Sequence, residues 1–298
     1  MGASPVTSAQ MIAALPISAP SGAPLVGAPT IGEPLPRLSI TGNAETRGPT
    51  LPPPGAPTTA MRSVNPCKRT APSMIDWSYD GEGAPEHWGR LRAEFAACSI
   101  GERQSPVALD AAIPITTRRL DLQYRPSRFE VIDDGRNLVV GVRGASSLRF
   151  EGLRLRLDQV RFHRPGEHWI KGVRPDMSAH LIHESPSGIT LVIAVPLMRG
   201  PDANPALQQI LNAIPLEPGG AGRGTERLDL AGLLPASHAR YVYQGSLSTP
   251  PCTEGVHWMV LQQPVMISDA QYDVFARLFT PNARPIQALN GRRVKGTM

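Results

Sequence analysis

The chain has 298 residues, room for one large domain or two ordinary ones, with a formal net charge of +5 and 32 prolines. No run approaches the roughly 18 consecutive apolar residues of a membrane-spanning helix, and three cysteines are too few for a disulfide scaffold. Lysines are confined to Lys68, Lys171 and Lys295 and the arginines are scattered. The clustered basic stripe of a nucleic-acid binder is missing, so no nucleic-acid partner is expected.

Residues 1–72 hold 14 of the 32 prolines and seven charged residues, and they show neither helical nor alternating periodicity. Pro52, Pro53 and Pro54 favour extended backbone that buries no core, so this stretch reads as a disordered Pro/Ala/Ser-rich tail. Met1 to Ser8 has no basic side chain, and the short apolar run Met11 to Leu15 ends at Pro16, unlike an ordinary secretory signal. A non-cleaved export signal, a transit segment and a plain linker stay open. Residues 73–298 form the expected single domain.

From Trp77 onward the chain is rich in strand signals. Arg136 to Val142, Ser147 to Phe150, Leu153 to His163, Ala179 to His183, Gly188 to Leu197, His257 to Gln262 and Pro264 to Ile267 are β-branched and aliphatic runs punctuated by Gly, Pro, Asp and Ser. Asp134-Gly135 signals a hairpin turn. Gly188 to Leu197 is almost wholly apolar, as a strand buried on both faces requires. Tyr272, Phe275, Leu278 and Phe279 recur at helical spacing behind a Ser268-Asp269 cap.

The informative strand is Leu153 to His163. Its odd positions read Leu153, Leu155, Leu157, then Gln159, Arg161, His163, and its even positions read Arg154, Arg156, Asp158, then Val160, Phe162. With strict alternation the apolar pattern swaps faces near Asp158, so one surface is expected to turn from packed to polar where it lines a cleft. Pro165 then breaks the ladder. Ser178, His180 and Ile182 share one face of a second segment, so two strands each present an inward histidine, half of a possible metal site.

Several motifs in order resemble those of the α-class carbonic anhydrases. They are Trp77-Ser78-Tyr79 with Trp88; Gln104-Ser105-Pro106; Gln159 to His168; His180-Leu181-Ile182-His183; Gly245 to Pro251; Glu254 and Trp258; and Asn282 with Arg284-Pro285 and Gln287. The resemblance implies a mainly β domain: a large twisted, mostly antiparallel sheet with short peripheral helices and a conical central cleft. It also implies a zinc cofactor held by three histidines of neighbouring strands, whose bound water is acidified and attacks CO2.

Carried over residue by residue, the second ligand is His163 and the third is His180, but Arg161 stands at the first. A guanidinium stays protonated and offers no lone pair. For unit charges ~4 Å apart at an effective dielectric of about 20 the repulsion is about 4 kcal/mol, and a divalent ion roughly doubles it. His168 and His183 lie at odd offsets from His163 and His180, so an unbroken strand turns them away.

By the same resemblance, Glu167 accepts a hydrogen bond from the gatekeeper hydroxyl, here Ser248, and these two are the candidate catalytic residues. Ile182, Leu191, Leu247, Thr249 and Trp258 line the substrate pocket. Gln159, Ser178 and Asn282 support the ligands, with Ser178 in a glutamate's place and so a weaker support. Arg136 occupies the proton-shuttle position and cannot relay a proton near neutral pH. Arg161 is expected on the cleft floor, paired with Glu167 or an anion. Cys98 and Cys252 match a disulfide of secreted bacterial members, which favours a periplasmic or secreted location over the cytoplasm. Cys67 is left free.

The expected function is that of a carbonic-anhydrase-like protein with an incomplete zinc site, acatalytic or very weak in CO2 hydration and similar to the carbonic-anhydrase-related proteins. Two alternatives remain. One is a working zinc lyase, a carbonate dehydratase, that completes its site with a non-standard third ligand. The other is a binding module whose cleft holds a carboxylate, bicarbonate or another small anion on Arg161, with the tail available to a protein partner.

Overall fold

Alternating and apolar runs separated by turn residues assemble, in the computed structural model, into one 13-stranded sheet bordered by short helices. The structure describes residues 76–217 and 219–297. The tail expected over residues 1–72, and Cys67 within it, lie outside the described residues. No described helix is long and apolar enough to cross a membrane.

Eight strands position everything that follows: β1 (Arg128–Asp133), β2 (Leu138–Arg143), β3 (Ser147–Phe150), β4 (Leu153–His163), β5 (Met177–Glu184), β6 (Thr190–Gly200), β7 (Arg240–Ser246) and β8 (Glu254–Leu261). They lie in the order β1-β2-β4-β5-β6-β8-β7, with β3 also paired to β4. The pairings are antiparallel except β6 with β8, which run parallel. The β1–β2 hairpin turns at Asp134-Gly135, where Gly135 takes φ 80°, a conformation that costs glycine nothing. The expected helix runs Asp269–Leu278, and Ser268 caps it in a reciprocal capping box with Gln271. Of these eight strands, two escaped the periodicity reading: β1, with short mixed charge, and β7, whose polar tyrosines blur the alternation.

The expectation that the apolar pattern changes faces along β4 is corrected by a bulge. The pairing of β4 with β5 shifts register between Leu157 and Gln159. The extra residue, Asp158, resets the alternation. Leu155, Leu157, Val160 and Phe162 therefore all enter the same core. Arg154, Arg156, Gln159, Arg161 and His163 share the opposite face, called here the cleft face.

β6 sits between β5 and β8 and is buried from Leu191 to Leu197. Its residues divide between two cores. Leu191, Ile193, Val195 and Leu197 join the one that holds Phe162, while Val192 and Ala194 join the one built around Trp258, Tyr241 and Tyr243 on the cleft face. A third cluster joins Trp88, Phe95, Cys98 and Cys252, with Trp77 and Tyr79 against it. Cys98 and Cys252 form a disulfide across 154 positions of sequence.

Candidate active site

Register sets the centre of the cleft face. Across β4 and β5, His163 lies opposite Ser178, Arg161 opposite His180, and Gln159 opposite Ile182. Directly opposed residues of an antiparallel pair share a face, so His163, His180 and Arg161 leave the sheet on the same side. The His163 and His180 rings approach to 4.5 Å between centroids and are 1% and 2% exposed.

Each imidazole is aimed by its outer nitrogen. His163 Nδ1 lies 2.8 Å from the Asn282 carbonyl oxygen, so Nδ1 carries the proton and donates, leaving the Nε2 lone pair free. His180 Nε2 meets Ser178 Oγ at 3.2 Å, so the serine reaches the ring despite its short side chain. Asn282 is itself fixed. Its Nδ2 donates to the carbonyls of Phe162 and Arg136 and to Asn137 Oδ1, and its Oδ1 accepts from the Arg164 amide.

Glu167 is fully buried between the histidines, 3.7 Å from His163 Nδ1 and 3.7 Å from His180 Nδ1. Its Oε1 accepts from the Arg284 amide at 2.9 Å. The expected hydrogen bond from Ser248 is not formed: Glu167 Oε2 is buried without a partner. Arg284 anchors the underside, donating to Gln104 Oε1, Ser105 O and Cys98 O, and burial lowers its pKa to about 10 against the pull of Glu167 and Tyr79. It remains a cation at neutral pH. The partnership of Glu167 with a backbone amide over 100 residues away had no local signal in the sequence.

Burial, and then the neighbouring His163, His168 and Arg161, hold the His180 pKa well below the usual histidine value. The imidazole is therefore neutral, the form that can donate a lone pair. His163, Glu167 and His180 bring one ligand atom each within 4.8 Å of one another, a set that could hold a metal ion. The third nitrogen ligand of a three-histidine site is not supplied: the corresponding place on the face belongs to Arg161, whose chemistry does not fit.

Arg161 departs from expectation in its partner. It forms no ion pair with Glu167. Its Nε donates to Gln159 Oε1 at 3.2 Å, so Gln159 holds the arginine and not a histidine. The side chain is half-buried. Neither spare histidine completes the set. His168 bonds Tyr243 Oη at 2.7 Å, and His183 bonds Tyr124 Oη at 2.7 Å on the other side of the sheet.

The apolar wall also needs one correction. Leu191 lies opposite His183 and faces the opposite core. Val192 takes its place, opposite Ile182 and beside Trp258, with Leu247 packed against them. In an all-apolar strand the alternation has no visible phase, so only the pairing identifies Val192. Ser248 is 6% exposed and Thr249 is half-buried at the edge of this wall.

At the rim, Arg136 is immobilised. Its Nε donates to Trp77 O at 2.6 Å, its Nη2 pairs with Asp76, and its guanidinium lies 4.5 Å from the centre of the Trp77 ring. Tyr79 Oη is buried near Asn137 and within electrostatic range of Arg161 and Glu167, yet closes no hydrogen bond.

Comparison with known proteins gives a consistent set of relatives. The sequence model described as "Eukaryotic-type carbonic anhydrase" matches residues 83–298. A carbonic anhydrase of Nostoc sp. (strain PCC 7120) is 38% identical over 226 residues, 74% of this chain and 85% of that protein. A carbonic anhydrase of Klebsiella pneumoniae is 35% identical over 221 residues, 73% of this chain and 89% of that protein. Among solved structures, the α-carbonic anhydrase of Thermovibrio ammonificans in complex with the inhibitor sulfanilamide superposes with a TM-score of 0.72 at 35% identity, covering 75% of this chain and 99% of that chain.

Proposed function

The chain belongs to the eukaryotic-type, or α, carbonic anhydrase family, and from that premise we propose that it keeps the family scaffold without sustaining CO2 hydration at a rate useful for catalysis. The observation that carries this reading is Arg161 directly opposite His180 on the cleft face. A guanidinium there offers no lone pair and repels a divalent cation by several kcal/mol. Zinc is the family's cofactor, and two imidazoles alone leave its three-ligand set incomplete.

Two further features support the same reading. Ser248 does not engage Glu167, so the hydroxyl that would orient an attacking water is not held. Arg136, at the proton-shuttle position, is tied to Asp76 and Trp77 and stays protonated.

A second reading has one observation in its favour. Glu167 Oε2 is buried and unpartnered 3.7 Å from His180 Nδ1, and the carboxylate groups with both histidines in a set that suits a cation bound by two histidines and one carboxylate. Metal analysis of the purified chain together with stopped-flow CO2 hydration separates the two. The proposed reading expects zinc well below one per chain and hydration at the buffer rate. One zinc per chain with turnover well above buffer would overturn it.

The disulfide supports an oxidising compartment, periplasmic or extracellular, for the working protein.

A further inference from the structure

Arg161 is a cation that its neighbours leave without a counter-charge. The guanidinium is half-buried, and among the described residues no carboxylate lies within ion-pairing distance of it. Its one side-chain partner is the neutral Gln159 Oε1, which engages Nε and leaves both terminal nitrogens without a protein acceptor. A partly desolvated cation is costly unless paired. Glu167 Oε1 accepts from the Arg284 amide, and neither Glu167 oxygen lies within ion-pairing distance of Arg161.

The surroundings define what would pair with it. One uncompensated cation suits a monoanion, and a planar guanidinium edge matches the two oxygens of a carboxylate. Ile182 is the diagonal neighbour of Arg161 across the β4–β5 pair and, like Leu247, is half-buried, with Val192 and Trp258 buried in the core behind them.

We propose that this face binds small aliphatic monocarboxylates, with the carboxylate on Arg161 and the hydrocarbon end on the half-buried Ile182 and Leu247. The proposal rests on the reading that the site lacks the family's zinc, since a resident dication would claim the anion for itself.

Isothermal titration of the full chain with formate, acetate, butyrate and bicarbonate tests it, on protein as purified and after dialysis against a chelator. Affinity is expected to rise roughly fourfold for each methylene that reaches Ile182 and Leu247, from acetate to butyrate, and to be the same before and after chelation. Arg161→Gln is expected to weaken butyrate roughly tenfold or more. Arg156→Ala removes the same charge from the outer half of β4 and is expected to leave butyrate binding within twofold. Thermal melts establish that each variant is folded.

Unchanged butyrate affinity in Arg161→Gln would overturn the proposal. So would an equal loss in Arg156→Ala, which would indicate a diffuse field, or bicarbonate and formate binding as tightly as butyrate, which would remove Ile182 and Leu247 from recognition. Carboxylate heat that vanishes with chelation of stoichiometric metal would sink both this proposal and the reading beneath it. Metal-free, inactive protein that gives no butyrate heat would sink this proposal alone.

Discussion

Arg161 and His180 face one another across two adjacent antiparallel strands, the cation of one opposite the neutral imidazole of the other. That juxtaposition separates this chain's chemistry from that of a three-histidine centre. The rest of the shell stays organised: Asn282 directs His163, and Ser178 reaches His180.

Arg161→His should therefore recover metal binding. It places a neutral nitrogen on the same face while the other two imidazoles are already oriented. The variant is expected to retain about one zinc per chain after gel filtration, measured by atomic emission. With free zinc at a hundredfold over its dissociation constant its stability should rise by about 2.7 kcal/mol. The parent chain should show neither change.

Asn282 holds the end of β4 through buried hydrogen bonds to Phe162, Arg136, Asn137 and Arg164. Asn282→Ala leaves several of those groups unpaired, which places its cost in the upper part of the usual range, about 2–4 kcal/mol. A urea titration should show a lower midpoint with an unchanged slope.

His183 makes stability fall with acid. Burial lowers its pKa to about 4, against backbone hydrogen bonds that raise it, and Tyr124 occupies its Nε2. The unfolded histidine titrates near ~6.5. Below that value the unfolded chain takes up a proton that the folded chain refuses, so stability is complete above it and declines as pH falls toward the folded value. The decline is of the order of 3 kcal/mol. The double variant Tyr124→Phe/His183→Phe should remove this share of the decline in denaturant melts from pH 7 to about pH 4, while His168 and His180, lowered likewise, keep the remainder.

The Cys98–Cys252 disulfide ties the helical segment at Cys98 to the loop before β8, across 154 positions. Closing so long a loop restricts the unfolded chain, by roughly 5 kcal/mol at most in the chain-entropy treatment. Cys98→Ser/Cys252→Ser, or the parent chain in reductant, is expected to unfold at clearly lower denaturant. An unchanged midpoint would mean that the bridge contributes nothing to stability.

Much of the architecture was readable from local pattern. Leu153 to His163 and Ser147 to Phe150 are strands at their expected bounds, and Ser268 caps its helix as its residue type suggests. These features depend on side-chain period and capping chemistry, which neighbours in sequence carry. The face swap expected at Asp158 failed because a bulge is a property of two paired strands, and one strand read alone cannot reveal it.

The same division runs through the site. Residue chemistry alone established that position 161 holds a permanent cation with no lone pair, whatever surrounds it. Pairing between distant segments settled the rest: Val192 in place of Leu191 on the apolar wall, Glu167 on the Arg284 amide and not on Ser248, and Gln159 as the partner of Arg161. Those outcomes follow from strand register and chain crossings. They become definite only when a buried polar atom must find an acceptor among groups far away in sequence.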